Sequence, residues 1–362
     1  MTTKILDVTD LNVENLKASM ERGDDEANER IEAAYEKIDE GAEILKNGGL
    51  VAFPTETVYG LGANALDAQA VAKVYAAKGR PSDNPMIVHI ARASDIGQLT
   101  PILTPRIIRL IDCFWPGPLT LVLAKKDCVP MITTGGLNTV AIRMPDDPVA
   151  LELIRRADCP VAAPSANISG RPSPTKAAHV IEDLNGKIDA VLVGGDCRIG
   201  IESTVLDLTG EVPTILRPGL LTTEDIQAAI GETVIFDPAL TINRPRDVSE
   251  EAAVVPKAPG MKYTHYAPKA QMTIIEGQRD RVKAEIERLK MLNERMGLKV
   301  GVILFEEKAF VEAAHDFFAK LRELDSQEVD LILAGAMSDQ NEVGFAVMNR
   351  MLKSAGYHIA KV

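Results

Sequence analysis

Cysteine, tryptophan and long apolar runs are all scarce in this sequence of 362 residues. Its 4 cysteines, at positions 113, 128, 159 and 197, show no C-x-x-C spacing and no histidine at metal-ligand distance. That pattern argues against a zinc ribbon and predicts reduced, mostly buried thiols. No apolar run approaches the ~18 residues that span a bilayer, and the first residues are followed by mixed acids rather than an apolar stretch. The sequence therefore predicts no membrane contact and a cytoplasmic location.

Signatures of several common enzyme classes are also missing. The sequence has no G-x-x-x-x-G-K-[ST] loop, no H-E-x-x-H and no nucleophile elbow, and Gly60 and Gly62 lack the third glycine of a dinucleotide fingerprint. An enzyme with neither a protein nucleophile nor a protein-held metal is expected to work by positioning and electrostatics. Transfers to phosphorus belong to that group of reactions.

The charge balance is acidic. Subtracting 52 Asp and Glu from 40 Lys and Arg gives a net charge of −12, and the pI is about 5.1. Such a field repels a phosphate backbone over most of the surface. We therefore expect no stable binding of long nucleic acid unless a local basic patch provides it.

The length predicts about two domains at ~150 residues each. Predicted helices and strands alternate along most of the chain, which indicates a mixed α/β fold. A proline-punctuated stretch without periodicity interrupts this alternation. We predict an acidic, loosely held extension over residues 1–30, a main domain over 31–230, a linker over 231–268 and a small doubly wound domain over 269–362.

Polar residues recur just past predicted strands, where open α/β sheets build their sites. Lys78 and Arg80 flank a glycine at a helix end, and Asn84 follows in the same loop. Two cations and an amide suit an anion, although a Lys-x-Arg pair alone is usually a solvated helix end. Residues 54–62 combine hydroxyls with glycines, so that backbone amides could approach a small ligand. A turn capped by threonines is the alternative there.

Arg143 and His89 each end an apolar strand. Thr139 and Arg143 lie on one face of the same strand because side chains alternate. A buried arginine needs an anionic partner, which is either a substrate or a structural carboxylate. A lone histidine in such a strand is more often a core side chain than a catalyst.

Hydroxyls and cations recur at three further strand ends. Ser165 and Asn167 follow one strand, and residues 171–175 are predicted to open a helix whose amides could bind an anion. Residues 202–204 and Arg217 complete the set. Helix capping alone also explains the hydroxyls of 171–175. One such position is uninformative, but the whole set predicts a pocket.

These motifs together resemble the YrdC family in its long form, which has an added C-terminal domain. The resemblance runs from about residue 39 to the end and is most specific in the first domain, whereas the acidic stretch before Ile31 departs from the family pattern. The residues that carry it are Phe53 to Gly62, Lys78-x-Arg80, Trp115 to Thr120, Ser165-x-Asn167, Glu202-Ser203-Thr204, Pro259 to Pro268 and Gly344 to Arg350.

The resemblance implies a fold and an activity. The fold would be a YrdC-like twisted mixed sheet with flanking helices, followed by a smaller Rossmann-like α/β domain. The activity would be that of a nucleotidyltransferase, which forms threonylcarbamoyl-AMP and pyrophosphate from L-threonine, bicarbonate or CO2, and ATP with Mg2+. A downstream tRNA threonylcarbamoyl transferase complex would use the product. Residues 231–268 would act as a lid that keeps water from the labile intermediate.

The resemblance also implies roles for individual residues. Lys78 and Arg80 would be catalytic, and Arg143 would pair with the threonine carboxylate. The threonine site would comprise Thr57, His89, Arg143 and Ser203. The ATP site would comprise Lys78, Arg80, Asn84, Thr139, Ser165, Asn167, Ser173, Arg217, Tyr263 and His265. Mg2+ would arrive with ATP, held mostly by phosphate oxygens and water.

Two other functions stay open at the level of sequence. The first is an RNA-binding or ribosome-associated module of the same fold, for which the cations at strand ends are few against a net charge of −12. The second is carbamoyl transfer in hydrogenase maturation, where a related domain occurs beside zinc-binding regions. The cysteine spacing offers no such zinc site.

Overall fold

The computed structural model describes residues 2–22, 25–240, 265–338 and 340–362. Eleven strands of the described chain form one mixed sheet, in the order β1-β8-β2-β3-β7-β4-β6-β5-β9-β10-β11. They are β1 (Lys4–Asp7), β2 (Val51–Phe53), β3 (Gly60–Asn64), β4 (Ile87–His89), β5 (Leu119–Ala124), β6 (Thr139–Arg143), β7 (Val161–Ala162), β8 (Ala190–Val193), β9 (Thr204–Asp207), β10 (Thr214–Arg217) and β11 (Ile235–Phe236).

Helices cover this sheet, so the predicted mixed α/β fold is confirmed. Buried apolar side chains pack between sheet and helices in two large clusters. The helices are α1 (Val13–Arg22), α2 (Asp25–Lys46), α3 (Ala68–Lys78), α4 (Ile96–Leu99), α5 (Pro105–Phe114), α6 (Pro148–Ala157), α7 (Ala177–Leu184) and α8 (Thr223–Ile230).

Local sequence sets the ends of the helices near the predicted pocket. The Asp67 carboxylate accepts a hydrogen bond from the Gln69 amide and begins α3. Gly79 ends it with a left-handed φ of 62°, a conformation that glycine adopts without strain. The chain therefore turns sharply between Lys78 and Arg80, and both cations reach the same side of the sheet, where they line one cleft.

The second sheet has four strands, all parallel, in the order β13-β14-β12-β15. Parallel neighbours need crossover connections, and a helix follows each of the first three strands. This arrangement confirms the predicted Rossmann-like second domain. Its strands are β12 (Gln271–Glu276), β13 (Val300–Ile303), β14 (Leu331–Gly335) and β15 (Ile359–Lys361), and its helices are α9 (Arg279–Arg295), α10 (Phe310–Ser326) and α11 (Glu342–Ser354).

The structure corrects the loosely held extension expected before residue 31. Strand β1 pairs in parallel with β8, from Lys4 opposite Ala190 to Asp7 opposite Val193. Leu6, Val8 and Leu11 are buried in the same cluster as the apolar face of α2. Acidic residues between these few apolar ones hid the strand, because its partner lies far away in the sequence.

The linker prediction over 231–268 falls mainly outside the described residues. Strand β11 occupies part of its beginning and pairs in parallel with β10, while residues 241–264 are not described. The predicted domain boundaries stay predictions.

Two smaller expectations also differ from the structure. Helix α7 begins at Ala177 without a side-chain cap, so residues 171–175 precede the helix instead of opening it. The four thiols are free, as expected, but Cys113 and Cys128 are exposed, and only Cys197 is fully buried.

The two domains share apolar contacts close to the predicted pocket. Val58 and Ile201 belong to the first domain, yet both are buried in the apolar core of the second. Burial of each such side chain contributes roughly 1.5 to 3 kcal/mol. The loops that carry them, on either side of the pocket, are therefore anchored against the second domain.

Candidate active site

A cleft opens at the edge of the first sheet where β4, β6 and β10 end and where β5 and β9 begin. About 730 Å³ of space, part of it open solvent, lies between its lining residues. Most of its lining residues lie in the first domain, between Thr55 and Arg217. His265 and Tyr266, which directly follow the undescribed residues 241–264, also line it. Sheet registers explain the convergence, because His89 lies opposite Arg143 and Leu119 lies opposite Thr204.

Arg143 is the best-buried cation at one end of the cleft, with 3% of its surface exposed. Its Nη1 donates to Thr57 Oγ1 at 2.9 Å, and its Nε donates to the Gly117 carbonyl at 3.2 Å. Its Nη2 lies 2.6 Å from Glu56 Oε1 in a buried ion pair. The structural carboxylate that sequence alone left open therefore exists, and it is Glu56.

The loop that carries Glu56 is ordered by its own hydroxyls. Thr55 Oγ1 donates to the Val58 carbonyl at 2.6 Å and accepts from the amides of Thr57 and Val58. This side-chain turn presents Thr57 to Arg143. The two alternatives for residues 54–62, a turn capped by threonines and a loop that faces a ligand, are thus both realised, since Thr55 and Thr57 also line the cleft.

His89 lies beside Arg143 and is buried, with its ring edge-on to Phe53 at 6.3 Å. Burial, reinforced by the Arg143 cation, lowers the pKa of His89 to about 3. The imidazole is therefore neutral at physiological pH. It lines the cleft as a neutral polar group rather than as a cation.

The free energy of unfolding should depend on pH because native His89 is neutral. An unfolded histidine takes up a proton below a pKa near 6.5, whereas native His89 stays neutral down to about 3. The native state is therefore destabilised as pH falls from 6.5 towards 3, by about 1.4 kcal/mol per pH unit from this group. We expect His89→Asn to flatten this dependence, measured by urea unfolding and the fluorescence of Trp115, the single tryptophan. An unchanged slope would contradict a neutral His89. The matched control is His315→Asn, which replaces a histidine whose side chain is 49% exposed.

The loop from Trp115 to Thr120 connects the Arg143 side of the cleft to Ser203. Gly117 accepts from Arg143, and the Pro118 carbonyl accepts from the Thr204 amide at 3.0 Å. Thr120 Oγ1 and Ser203 Oγ are 2.8 Å apart. Ser203 is fully buried and does not itself line the cleft.

Arg217 extends the site beyond Ser203. Its Nε donates to the Ser203 carbonyl at 3.1 Å and its Nη2 donates to Ser203 Oγ at 3.0 Å. Burial lowers the pKa of Arg217 to about 10, which leaves it charged at neutral pH. Arg217 thus brings a fixed cation to the cleft.

Lys78 and Arg80 also line the cleft. The Lys78 ammonium is buried and donates to the carbonyls of Ser165 and Asn167, and burial lowers its pKa well below the usual value. Its contacts order the Ser165 turn, so a structural contribution accompanies the predicted catalytic one. The Arg80 guanidinium donates to the Asn84 and Pro85 carbonyls, and burial lowers its pKa to about 10.

Most of the residues predicted to bind substrate line this one cleft. They are Thr57, Lys78, Arg80, His89, Arg143, Ser165, Asn167, Arg217 and His265. Four others do not line the cleft. Ser203 accepts from Arg217 and the Asn84 carbonyl accepts from Arg80, so both support lining residues from behind. Ser173 donates to Glu202 Oε1 at 2.7 Å, and Thr139 begins the strand that Arg143 ends. Tyr263 lies outside the described residues.

Sequence reasoning assigned no role to several residues of the site. Glu56 and Glu202 belong to the motifs that carry the family resemblance. Each lies next to two hydroxyl residues, and that pattern could have indicated a role in the site. Tyr266 is buried in the second domain's core and lines the cleft. Arg350, from the second domain, forms a buried ion pair with Glu202. Nothing in the local sequence indicates that this arginine reaches the site.

Neither a membrane-spanning helix nor a metal cluster of acids, histidines and cysteines occurs among the described residues. No helix there is both long and apolar enough to cross a bilayer. No group of three or more His, Cys, Asp or Glu side chains there could hold a metal ion.

Two family models match the chain. Residues 43–219 match the family described as "Telomere recombination", and residues 221–356 match "Threonylcarbamoyl-AMP synthase, C-terminal domain".

Curated relatives and a solved structure agree with these matches. The chain is 48% identical to threonylcarbamoyl-AMP synthase of Pyrococcus abyssi over 344 residues, which cover 92% of this chain and 98% of that protein. It is 46% identical to the Bacillus subtilis enzyme of that name over 342 residues, which cover 90% of this chain and 94% of that protein. The crystal structure of P. abyssi Sua5 complexed with L-threonine superposes with a TM-score of 0.84 at 48% identity, covering 91% of this chain and 96% of that one.

Proposed function

The chain belongs to the family of two-domain threonylcarbamoyl-AMP synthases, and from this premise we propose that it forms threonylcarbamoyl-AMP and pyrophosphate from L-threonine, bicarbonate or CO2, and ATP. The resemblance drawn from its motifs is thereby confirmed, and the protein is an enzyme of the nucleotidyltransferase type. One observation supports the reaction above the others. Three guanidinium groups, those of Arg80, Arg143 and Arg217, converge with the Lys78 amine on one cleft of a protein with net charge −12.

The proposed chemistry suits a site without a protein nucleophile. The threonine amine combines with bicarbonate to give a carbamate and water. A carbamate oxygen then attacks the α-phosphorus of ATP, the bond from that phosphorus to the bridging oxygen breaks, and pyrophosphate leaves. The protein needs only to hold the two reactants in line and to balance their negative charge.

We assign the two ends of the cleft to the two substrates. Arg143, Thr57 and His89 would hold threonine, with Arg143 facing its carboxylate and Ser203 supporting the site from behind. Arg80, Arg217, Ser165 and Asn167 would face ATP. This division is supported by the buried Arg143, which contacts Thr57, and by Arg80 and Arg217, which add two further cations to the same cleft.

Magnesium would enter as part of the ATP substrate. The Glu202 carboxylate lines the cleft but is already engaged by Arg350 and Ser173. The Glu56 carboxylate stands behind the lining and is paired with Arg143. Mg2+ held by phosphate oxygens and water fits this donor set better than a protein-held ion. Its contribution would be to reduce the charge of the phosphates.

The remaining assignments concern the product. We propose that a tRNA threonylcarbamoyl transferase complex consumes it and, because tRNA modification is its use, that the enzyme acts in the cytoplasm. The segment 231–268 is proposed as the lid, and His265 at its end lines the cleft.

A substrate-omission assay tests the function. Purified protein is incubated with ATP, Mg2+, bicarbonate and L-threonine, each omitted in turn, and the products are identified by mass spectrometry. We expect threonylcarbamoyl-AMP when all are present and none without threonine or ATP. Absence of product from folded protein that binds ATP would contradict the proposal, and a salt-dependent shift with tRNA alone would then favour the RNA-binding alternative.

A further inference from the structure

Arg350 of helix α11 is buried at the junction of the two domains. Its side chain is 1% exposed and its Nε donates to Glu202 Oε2 at 3.1 Å. Its Nη1 donates to the Pro218 carbonyl and, at 3.1 Å, to the Ala346 carbonyl of its own helix. The guanidinium therefore joins the second domain to two separate loops of the first.

Both loops belong to the cleft. Glu202 lines it and directly precedes Ser203, while Pro218 directly follows Arg217. Strands β9 and β10 are antiparallel neighbours, so these loops meet at one end of the pair. Gly219 closes the contact, because a Cβ there would lie 2.5 Å from the Thr204 amide nitrogen. A shift of either loop would move Ser203 and Arg217 together.

The charges around Glu202 give Arg350 a second effect. Burial favours a neutral Glu202, but the Arg350 and Arg217 cations and the Ser173 hydroxyl outweigh it and lower its pKa to about 2. Glu202 is thus a buried anion near two guanidinium groups, of which Arg350 is the one that contacts it directly. With Arg350 absent, Glu202 would turn to Arg217 for its compensation.

We propose that Arg350 is a positioning residue for the active site. Through its contacts with Glu202 and the Pro218 carbonyl it holds Ser203 and Arg217 in place. Because it compensates the charge of Glu202, it also leaves the Arg217 charge directed at an anionic substrate. The second domain then contributes to substrate binding. This inference rests on the proposed function for the identity of the ligands, ATP and L-threonine. Its geometry rests on contacts within the chain alone.

The test measures ATP binding with Mg2+ and L-threonine binding by calorimetry in the full-length chain. We expect Arg350→Met to raise the Kd for ATP by roughly 10- to 10²-fold, the scale of a misplaced binding group, with the number of sites per folded chain unchanged. A merely structural loss would instead lower the number of sites at an unchanged Kd. Adding Glu202→Gln removes the carboxylate that would capture Arg217, so the double variant is expected to bind ATP more tightly than Arg350→Met alone.

The control is Arg288→Met, an exposed arginine of the same domain paired with Glu285, which should leave both Kd values unchanged. Should Arg350→Met give no folded protein, Arg350→Lys carries the test, because lysine cannot hold Glu202 and Pro218 in the same way and should weaken binding several-fold. Wild-type Kd values in the folded variant, or no rescue by Glu202→Gln, would overturn the proposal. If wild-type protein binds ATP but makes no threonylcarbamoyl-AMP, the proposed function is contradicted. The comparison of Kd values between wild type and the Arg350 variants stays valid in that case.

Discussion

Replacing Arg143 by methionine is expected to raise the KM for L-threonine by roughly 10²- to 10³-fold, the usual effect of truncating one partner of a buried, hydrogen-bonded charge pair. Arg143 Nη1 donates to Thr57 Oγ1, and the same guanidinium is proposed to face the substrate carboxylate. The measurement is steady-state synthesis at varied threonine with saturating ATP. The KM for ATP should change less, because the side-chain contacts of Arg143 go to Gly117, Thr57 and Glu56 rather than to the proposed ATP groups.

The same substitution is also expected to destabilise the protein. It leaves the Glu56 carboxylate buried without its cation, which costs about 3 to 5 kcal/mol when a buried pair is broken. Glu56→Gln in the same chain removes the uncompensated charge. The double variant should therefore regain unfolding stability, followed by Trp115 fluorescence, without regaining affinity for threonine.

This pair of variants separates two roles that the wild-type structure combines. Threonine affinity recovering together with stability would mean that Arg143 serves the fold through Glu56 and does not bind the substrate. Recovered stability with weak threonine binding would support the substrate role.

Replacing Arg80 by alanine is expected to lower the rate of threonylcarbamoyl-AMP formation by about 10²- to 10³-fold, the scale for removing one preorganised charge from a transition state. Its guanidinium is held by the Asn84 and Pro85 carbonyls and faces the cleft. Because the chemistry proposed for this site adds charge at the phosphates, the loss should fall on kcat more than on the KM for threonine. Rates are measured at saturating substrates.

Arg92→Ala is the matched control, since this arginine is 59% exposed in its side chain and pairs with Asp95 outside the cleft. Exposed pairs contribute little to stability, so the control should keep both rate and melting temperature. Near-normal turnover in Arg80→Ala would remove Arg80 from the catalytic assignments. Arg80→Lys should lie between the two, because lysine keeps the charge but not the two-carbonyl contact.

The second domain acquires a definite place in the site through these contacts. Val58 and Ile201 are buried in its core, and Arg322 donates to the Pro172 carbonyl and to both Asp183 oxygens. Together with Arg350 these contacts fasten four loops around the cleft, which carry Val58, Ile201 with Glu202, Pro172 and Pro218. A purely stabilising appendage would need no such contacts at the substrate side.

Local sequence was sufficient for the elements whose signals lie within a few residues. Strands β5 and β8, for example, are short apolar runs that end at polar or turn residues, the local pattern from which alternating strands and helices were predicted. The same reasoning placed cations and hydroxyls at strand ends, and most of these residues do line the cleft. Strand β1 was missed because its pairing with Ala190–Val193 depends on a partner nearly half the chain away.

The tertiary structure alone decided which polar groups meet. Sequence showed that Arg143 needs an anion, and the fold selected Glu56. Sequence predicted five serine and threonine side chains in the site, and the fold placed Ser173 and Ser203 behind the cleft lining. Arg350 reaches Glu202 across 148 positions of sequence. Burial makes such pairs obligatory, because an unpaired charge inside a protein is costly, but their identity depends on distances that exist only once both domains have packed together.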